Sequence, residues 1–428
     1  MRYQLRHVRV VTNNLPGRIS SEQGGRCCAV ENSSRLSSDS SNRGDSVGGV
    51  SREKHDGSAE FSQYFARHAL ECVDLWAHPE VLESGWWVVV GEAGGQLRGW
   101  RFAQVERRPF VTRKAPGPAA PWNGPPATAW SSSLTAKQYC AAVEELQELI
   151  AAGSLKQCNL TRVLSAPWPA RNGKESGESE RAGGEPDAAA LFELLKSQHP
   201  APFSGYVHVP GGGAVAPIWL VSASPELFLR RDGVQITATP IKGTAPSAEQ
   251  LEPKDDIESR FVAGEVAAEF ARVCTPVSVE ISAPRIEAHP GLVQLVRTVS
   301  GELEPARTCA PWEAIFTHLF PPASVVGFPR PAADAAIRRL EKTARGPYCG
   351  VFGWIDGDRQ QAELAVTIRS FWWAQNQLHF GTGAGITADS KPRAEWEETE
   401  LKAAQLLRLA STVAAAPKTA PTTTGSQP

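Results

Sequence analysis

Apolar residues recur every three or four positions in four segments of the chain, and this spacing predicts helices. The segments are residues 61–78, 134–153, 254–273 and 394 to about 410. In the second segment, a threonine near the start and Gly153 at the end are typical of helix caps. In the third, the apolar positions are Ile257, Phe261, Val262, Val266, Phe270 and Val273.

Runs rich in β-branched and aromatic residues predict strands between these helices. They are WWVVVG (86–91), LKQCNLTRVLSA (155–166), IWLVSASPELFLRR (218–231), GVQITATPI (233–241) and the N-terminal MRYQLRHVRVV. Long helices together with these strands predict a mixed α+β architecture rather than a doubly wound parallel sheet.

Segments poor in large apolar residues interrupt these elements. Residues 14–58 cannot bury enough surface to offset the entropy of ordering them, so we predict a disordered insertion there. Further breaks are a Pro-rich stretch at 115–127, a Gly/Glu/Arg-rich stretch at 170–186 and an Ala/Thr/Pro-rich tail. We divide the chain into an N-terminal part (1–128), a main region (129–411) and a disordered tail (412–428).

Composition excludes several classes of protein. The 428 residues carry a net charge of -2 without a basic tract, which argues against a nucleic-acid partner. No apolar run approaches the ~20 residues of a membrane span, and the N-terminus lacks the apolar stretch of a secretory signal. The eight cysteines show no metal-ligand spacing, so we expect reduced thiols and a cytoplasmic protein.

Two pairs of carboxylates occur near the starts of predicted helices. Asp255 and Glu258 are three residues apart, as are Glu395 and Glu398, so each pair shares one helix face. Two such helices facing each other would form an oxygen-rich site suited to Mg²⁺. Attraction of acids to a helix N-terminus also explains the pairs, and Lys402 would then be a simple ion-pair partner of Glu398.

Three further features suggest anion binding or nucleophilic chemistry. Gly383 and Gly385 in HFGTGAGITADS follow an apolar strand and would let backbone N–H groups approach an anion, unless they form an ordinary hairpin. Arg369 in LAVTIRSF points away from the apolar face of a predicted strand, either to hold a carboxylate or to face solvent. Lys242 in TPIKGT would be a nucleophile if desolvated, although most lysines are solvated.

Six groups of residues are weak signals when each is taken alone, but their order and spacing along the chain are specific when they are taken together. They are SPELFL (224–229), PIKGT (240–244), KDDIES (254–259), RGPYCGVFGW (345–354), VTIRS (366–370) and GAGITADS with AEWEET (383–399). Together they resemble the chorismate-binding enzyme family, which includes anthranilate synthase component I, aminodeoxychorismate synthase component I, isochorismate synthase and salicylate synthase. The resemblance covers about residues 130–410 well and the N-terminal part weakly, through ECVDLWAHPEVLESG.

The resemblance implies a four-layer α/β/β/α sandwich of the anthranilate synthase component I type, with one active site for chorismate. It matches Glu258 and Glu398 to the Mg²⁺ ligands and Asp255 and Glu395 to water-bridged neighbours. The substrate-binding residues are then Ser224, Tyr348, Arg369, Gly383, Ala384 and Gly385. The catalytic residues are Lys242, Thr244 and Lys402.

The lysine of PIKGT selects one member of this family. It is typical of aminodeoxychorismate synthases, where it attacks C2 of the ring before ammonia displaces it at C4, whereas anthranilate synthases usually carry alanine. Water-adding relatives use a lysine at the position of Gln157, and alternation places the adjacent Lys156 on the opposite face. The resemblance thus implies an aminodeoxychorismate synthase component I that supplies 4-aminobenzoate and folate synthesis.

The sequence also shows no amidotransferase motif, so we expect ammonia to come from a separate glutaminase subunit. Several positions depart from the family pattern. Gly264, Ala267 and Ala268 replace an Asp, an Arg and an Asn, Gln294 replaces a histidine near the leaving hydroxyl, Val326 replaces a threonine and Thr239 an arginine. Loss of a general acid commonly costs ~10²–10⁴-fold in rate, so a catalytically degenerate chorismate-binding partner protein is one alternative, and anthranilate synthase component I is another.

Overall fold

The computed structural model describes residues 57–61, 63–108, 122–168, 184–245, 247–251, 253–289 and 292–412. Of Thr244, Lys254, His289 and Leu292 it describes the backbone alone. The predicted N-terminal strand, nearly all of the predicted insertion and nearly all of the predicted tail lie outside the described residues. The predicted division of the chain at residue 128 therefore stays a prediction.

Twenty strands and seven α-helices occur in the described part of the chain. The strands are β1 Ser58–Phe61, β2 Tyr64–Asp74, β3 Trp86–Gly91, β4 Leu97–Arg107, β5 Ser131–Ser132, β6 Gln157–Pro167, β7 Phe203–Val209, β8 Ile218–Ser224, β9 Leu227–Asp232, β10 Gln235–Thr239, β11 Ile241–Ala245, β12 Glu280–Ile281, β13 Arg285–His289, β14 Leu292–Val296, β15 Val299–Glu302, β16 Gly327–Phe328, β17 Val351–Asp356, β18 Gln361–Val366, β19 Ser370–Ala374 and β20 Gln377–Ile386. The helices are α1 Ala136–Ala151, α2 Ala188–Gln198, α3 Pro253–Phe270, α4 Trp312–Leu319, α5 Ala323–Val326, α6 Arg330–Leu340 and α7 Pro392–Ala410.

Three of the four predicted helices are confirmed as α1, α3 and α7. Thr135 caps α1 in a reciprocal capping box with Gln138, which satisfies N–H groups at the helix start. Ile257 was predicted to lie on the apolar face of α3, but its side chain is 69% exposed. It lies beside a cavity instead of the core.

The prediction of a helix over residues 61–78 is wrong, because this segment forms β2. β2 pairs with β4, and a register shift between Ala69 and Glu71 marks a β-bulge next to His68, whose φ is 61°. A bulge inserts one residue into the alternation of faces. The apolar residues of a bulged strand therefore acquire a spacing that looks helical.

The strands form one long antiparallel sheet and a smaller one. The order in the seventeen-stranded sheet is β12–β15–β10–β9–β18–β17–β3–β4–β2–β1–β7–β8–β19–β20–β6, and both β5 and β16 also pair with β6. We call β12 to β2 in this order the first half-sheet and β1 to β6, with β5 and β16, the second half-sheet. A separate sheet has the order β11–β14–β13.

The two half-sheets pack against each other and helices cover their outer faces, which gives four layers. In the second half-sheet, Val207 and Leu220 belong to a core shared with the first half-sheet, whereas Tyr206, Trp219 and Val221 pack against α2 and α7. Cys158 and Leu160 of β6 pack against α1 and α6, and α3 and α4 contribute to the core of the first half-sheet. The mixed α+β, four-layer α/β/β/α sandwich is thus confirmed.

None of the helices in the described residues has the length and apolar character needed to span a membrane. The described cysteines, Cys72, Cys140, Cys158, Cys274, Cys309 and Cys349, are free thiols.

Replacement of Phe352 by alanine should lower the free energy of unfolding by about 3–5 kcal/mol. Phe352 is 1% exposed in β17, and its ring lies 5.0 Å from that of Phe61 in β1, so the change opens a cavity between the half-sheets. Urea or guanidinium denaturation followed by tryptophan fluorescence measures this loss. Leu70→Ala on the exposed side of β2 is the control and should change the free energy by less than about 0.5 kcal/mol. Equal effects of the two changes would contradict the packing described here.

Candidate functional site

A cavity of about 770 Å³ is lined by residues of β6, β11, β14 and β20 and of helices α3, α5 and α7. It brings together residues that the sequence predicted from separate motifs. Those that line it are Lys242, Asp255, Glu258, Tyr348, Arg369, Gly383, Gly385, Glu395, Glu398 and Lys402. This cavity is therefore the candidate active site.

Two neighbouring segments, which we call the crossings, carry the chain from one half-sheet to the other beside this cavity. The first crossing, Pro225 and Glu226, connects β8 to β9, and the second crossing, residues 367–369, connects β18 to β19. The segments hydrogen-bond to their neighbours, since the Val366 amide donates to the Glu226 carbonyl at 3.0 Å and the Ala223 amide donates to the Arg369 carbonyl at 3.1 Å. Each crossing contributes one charged residue, Glu226 or Arg369, to the cavity wall.

Arg369 lies at the second crossing and not within a strand, which corrects its predicted placement. β18 ends at Val366 and β19 begins at Ser370. Arg369 itself has a φ of 53°, a left-handed conformation that is sparsely populated by residues other than glycine. The alternation argument failed because the strand stops before it reaches the arginine.

The guanidinium of Arg369 has no carboxylate or hydrogen-bond partner in the part of the chain that the structure describes. Burial lowers the pKa of Arg369, yet a guanidinium remains protonated in proteins. A desolvated cation without a counterion is costly. The arrangement therefore favours a bound anion, and the planar fork of the guanidinium suits a carboxylate.

Glu226, at the first crossing, was not singled out from the sequence. Its side chain is 4% exposed and accepts a hydrogen bond from Ser324 Oγ at 2.6 Å and another from the Ile241 amide. Burial raises the pKa of Glu226 to about 7, although these hydrogen bonds and the charges of Lys242 and Lys402 oppose the rise. Glu226 is therefore able to hold or release a proton near neutral pH. The signal that the sequence offered was a single acid between Pro225 and an apolar run. Because glutamate is rarely buried, an acid at such a position indicates a special role.

The glycines of HFGTGAGITADS lie inside β20, so neither the prediction that they follow a strand nor the alternative of a hairpin at these glycines is right. β19 pairs with β20 only as far as Phe380, while β6 pairs with β20 along its full length. One edge of Gly381–Ile386 thus has no strand partner among the described residues. Backbone groups on that edge are available to a ligand.

Close contacts explain why two of these positions need glycine. A Cβ added at Gly381 would lie 2.1 Å from Cγ of Tyr348, and one at Gly385 would lie 2.6 Å from Gln157 Nε2 and 3.1 Å from Lys242 Nζ. β20 therefore lies directly against the ring of Tyr348 and the ammonium of Lys242. Burial raises the pKa of Tyr348 well above its ordinary value, so its hydroxyl is neutral.

Lys242 lies in β11, whose register against β14 shifts at a left-handed Gly243. The Lys242 ammonium is 3.4 Å from Glu258 Oε1. Gln157 Nε2 donates to the same Glu258 oxygen at 3.3 Å. Lys242, Gln157 and Glu258 thus form one cluster that joins β11, β6 and α3.

A second cluster lies on α7. Lys402 Nζ is 2.6 Å from Glu398 Oε1 and donates to the carbonyl of Gly383 at 3.1 Å. Burial raises the pKa of Glu398, but the charge and hydrogen bond of Lys402, together with the charge of Lys242, lower it overall. Burial and the charges of Glu398 and Glu258 raise the pKa of Glu395, against a hydrogen bond with Ser390 and the charge of Lys402.

The oxygen ligands that the cavity offers are of the type that a hard dication such as Mg²⁺ binds. Asp255, Glu258, Glu395 and Glu398 offer carboxylate oxygens, the ligands that Mg²⁺ prefers. Burial raises the pKa of Glu395, and the negative charges of Glu398 and Glu258 add to the rise. Within the described residues, however, no group of three or more His, Cys, Asp or Glu side chains converges on one point. Two of the four predicted ligands are instead paired with lysines.

Lys156 and Gln157 both border the cavity, so the prediction that alternation separates them is wrong. Lys156 precedes β6, where strand alternation does not yet apply. Its ammonium lies 5.4 Å from the ring centroid of Phe261 and 5.1 Å from that of Phe328. Gln157 alone of the two reaches Glu258.

Two predicted site residues, Ser224 and Ala384, are not in the cavity wall. Ser224 is fully buried in β8, and its hydroxyl donates to the Val366 carbonyl at 2.6 Å, so it fastens the two crossings together. Ala384 points into the core formed with α1 and α6. The Thr244 backbone pairs with Gln294 in the small sheet.

The departures from the family pattern fall in different places. Gln294 lines the cavity, whereas Val326 is buried in the core with α1 and α6. Glu269 on α3 forms an ion pair with Arg330 at 2.5 Å, close to the substituted positions 267 and 268. Thr239 ends β10 and is buried.

The chain is similar to known proteins in sequence and in fold. A family model described as chorismate binding enzyme matches residues 100–408. Anthranilate synthase component 1 of Thermus thermophilus is 32% identical over 297 residues, 65% of this chain and 58% of the relative. Aminodeoxychorismate synthase component 1 of Salmonella typhimurium is 28% identical over 295 residues, 65% of this chain and 59% of the relative. The solved structure of anthranilate synthase component I from Streptococcus pneumoniae has a TM-score of 0.62 at 17% identity, with 86% of this chain and 95% of that chain covered.

The aligned region thus spans somewhat less than three fifths of the length of these two curated relatives. The solved structure has the same four-layer fold.

Replacement of Arg369 by methionine should abolish stabilisation by small carboxylates without destabilising the free protein. The guanidinium is desolvated and has no partner in the described ranges, so its removal relieves a cost in the unliganded state. Thermal unfolding with and without millimolar malonate measures both effects. Arg230→Met, which removes an exposed partner of Glu363, is the control and should keep the response to malonate. An unchanged response in Arg369→Met would mean that the arginine is not an anion site.

Proposed function

Because the chain belongs to the family of chorismate binding enzymes, we propose that it is an aminodeoxychorismate synthase component 1. It would convert chorismate and ammonia to 4-amino-4-deoxychorismate, which leads to 4-aminobenzoate and folate. The observation that carries this choice is the position of Lys242, whose ammonium lies against Glu258 and Gly385 in the cavity. The similarity to the Salmonella aminodeoxychorismate synthase component 1 supports it.

Substrate binding would use the cationic and backbone groups of the cavity. Chorismate carries two carboxylates, and the guanidinium of Arg369 would hold one of them beside Tyr348. The unpaired edge of β20 at Gly383 and Gly385 offers backbone N–H groups to the other. These contacts fix the ring in one orientation, which is a large part of what an active site contributes to rate.

Lys242 would act as the nucleophile. Once its ammonium has released a proton to solvent, the amine attacks C2 of the ring, the two ring double bonds shift, and the bond from C4 to the hydroxyl breaks. Ammonia then attacks C4, the double bonds shift back, and the bond between C2 and Lys242 breaks. The lysine leaves as the amine, a proton of the added ammonia replaces the one given to the hydroxyl, and one water is released for each ammonia added. Covalent catalysis of this kind divides one difficult displacement into two easier ones.

Glu226 would provide the proton that the departing hydroxyl needs. Its carboxyl lies in the cavity wall, and its pKa of about 7 leaves much of it protonated at neutral pH. Hydrogen bonds from Ser324 and Ile241 fix its orientation. A positioned general acid contributes about 10²–10⁴-fold to a rate.

Mg²⁺ would be held by Glu258 and Glu398, with Asp255 and Glu395 as neighbours. When bound, the ion would neutralise a substrate carboxylate and fix its position. Ammonia would come from a separate glutamine amidotransferase subunit, as the name component 1 of the relatives implies for those proteins.

Anthranilate synthase component 1 is the second candidate, since the Thermus relative has a slightly higher identity than the Salmonella relative. The two activities share the chorismate site and differ in the ring carbon that finally bears the amino group. Identification of the products formed from chorismate, Mg²⁺ and ammonium salt decides between them. Turnover of glutamine by the purified chain alone would contradict the separate amidotransferase.

Replacement of Lys242 by alanine should reduce formation of 4-amino-4-deoxychorismate by at least about 10²-fold while chorismate still binds. Without ammonia, the wild type should accumulate an adduct of the ring on Lys242, detectable by intact-mass and peptide analysis. Lys156→Ala is the matched control, because this second lysine borders the cavity but lies over two aromatic rings. It should form the same product at a similar rate. Wild-type rates of 4-amino-4-deoxychorismate formation in Lys242→Ala would remove the basis for choosing this family member.

Replacement of Glu226 by glutamine should lower turnover by about 10²–10⁴-fold and raise stability at pH 8. The folded pKa of about 7 lies above the ordinary value of 4.5, so the wild type loses stability as pH rises between these values. Glutamine still accepts the hydrogen bond from Ser324 but never ionises. Denaturation at pH 5 and pH 8, together with steady-state rates, checks both effects. A variant that is equally active, or less stable only at high pH, would contradict the role of Glu226.

A further inference from the structure

Glu226 borders a second, smaller cavity in addition to the candidate active site. This small cavity is lined by residues of β9, β10, α3, α4 and α5, and it shares Glu226 and Ser324 with the active-site cavity. The other residues that line it in the described part of the chain are apolar, except for Glu269 on α3. Two acids thus border one apolar space, and one of them also borders the active site.

The small cavity has room for one water molecule. Its volume of about 20 Å³ exceeds the ~10–15 Å³ that a single water needs. A buried water also needs two to four polar partners, and the carboxyls of Glu226 and Glu269 and the hydroxyl of Ser324 offer them. A carboxyl accepts a proton when it is ionised and donates one when it is protonated. The small cavity therefore joins two carboxyls through a space in which a water can pass a proton.

Glu269 is the member of this pair that reaches solvent. Its side chain is 19% exposed, whereas Glu226 is buried. Arg330 Nη2 donates to Glu269 Oε1 at 2.5 Å and so fixes the carboxyl group in place. Burial raises the pKa of Glu269 to about 7, and the charge of Glu265 adds to the rise, although the charges of Arg330 and Arg272 oppose it. Glu269, like Glu226, is therefore able to exchange a proton near neutral pH.

Solvent has limited access to Glu226 from the active-site side. The proposed reaction places the ring of chorismate in that cavity, where it displaces solvent. The ammonium groups of Lys242 on β11 and Lys402 on α7 act on Glu226 there and favour its ionised form. The buried thiol of Cys349 is neutral, because burial raises its pKa to about 12. The small cavity is therefore the side from which Glu226 can gain a proton while substrate is bound.

We propose that Glu269 and a water in the small cavity form a proton relay between solvent and Glu226. This inference rests on the proposed function, in which Glu226 gives its proton to the departing hydroxyl. The Glu226 carboxylate then takes a proton from the water, the water takes one from Glu269, and Glu269 takes one from solvent. A proton that the added ammonia loses returns to solvent and balances this uptake. Glu269 touches no substrate and acts through Glu226.

Replacement of Glu269 by glutamine should separate the first turnover from later ones. Glutamine keeps an oxygen acceptor for Arg330 but has no acidic proton. At pH 6 without ammonia, wild type and variant should form the adduct on Lys242 at equal rates, because Glu226 already carries its proton. At pH 8.5 with ammonium salt, steady-state turnover of the variant should be at least about tenfold slower, a part of the ~10²–10⁴-fold that a general acid contributes. Rapid quenching with intact-mass analysis measures the first rate, and chromatography of the product measures the second.

Three controls distinguish a relay from a structural role. Glu265→Gln removes an acid one turn earlier on α3 that does not line the small cavity, and it should keep both rates. In the Glu226→Gln background, Glu269→Gln should cause no further loss, because two residues that act as one unit are not additive. Glu269→Ala leaves space for a small acid, so formate should restore its steady-state turnover, whereas chloride at the same ionic strength should not.

Several results would overturn the relay. Equal steady-state rates of wild type and Glu269→Gln would show that Glu226 regains its proton inside the active site, directly from the added ammonia. Equal losses in the first and later turnovers, without recovery by formate, would show that Glu269 only holds α3 in place. Anthranilate as the product would contradict the proposed function alone, because the ring hydroxyl also leaves in that reaction. If the wild type does not convert chorismate, the proposed function is wrong and the inference falls with it.

Discussion

The two neighbouring crossings between the half-sheets are the constraint on which both the fold and the site depend. The seventeen-stranded antiparallel sheet folds over itself, so that one face of each half-sheet packs against the other and the helices cover the outer faces. Two strand connections, at Glu226 and at Arg369, complete this fold beside each other and are hydrogen-bonded together. Because the strands on either side are buried, a charged residue at a crossing has no direction open to it except the cavity. The geometry of folding thus places an acid and a cation at one point.

The cavity wall contains both acidic and basic side chains, and their pairing reduces the repulsion between like charges. The wall carries the carboxylates of Glu226, Asp255, Glu258, Asp389, Glu395 and Glu398 and the cations Lys156, Lys242, Arg369 and Lys402. Two lysine–glutamate pairs reduce the repulsion, and Glu226 reduces it further by holding a proton near neutral pH. Arg369 has no such carboxylate partner among the described residues. Its charge in the cavity wall is therefore left to attract an anion.

Elements that depend on neighbouring residues in the sequence could be predicted from it. Elements that depend on pairing between strands far apart in the sequence could not. Helices α1 and α7 follow from the spacing of apolar residues and caps, and the carboxylates of α7 follow from that helix. β2 was mistaken for a helix because a bulge interrupts its alternation. Arg369 was identified, but its backbone conformation depends on strands far away in sequence. Glu226 was missed because its burial results from the folding of the sheet, which no local pattern records.

The way in which the crossings are held also bears on the tolerance of this protein to change. Glu226 and Arg369 are positioned by backbone hydrogen bonds of the sheet, which do not depend on the identity of the side chains in the covering helices. Helix α3 carries Gly264, Ala267 and Ala268, the positions at which the resemblance to the family implies larger polar residues, and the crossings are hydrogen-bonded to each other. These positions follow Phe261 on α3, border neither the active-site cavity nor the small cavity, and are free to diverge. Drift within the family should therefore accumulate in the helical segments away from the two cavities and leave the crossings unaltered.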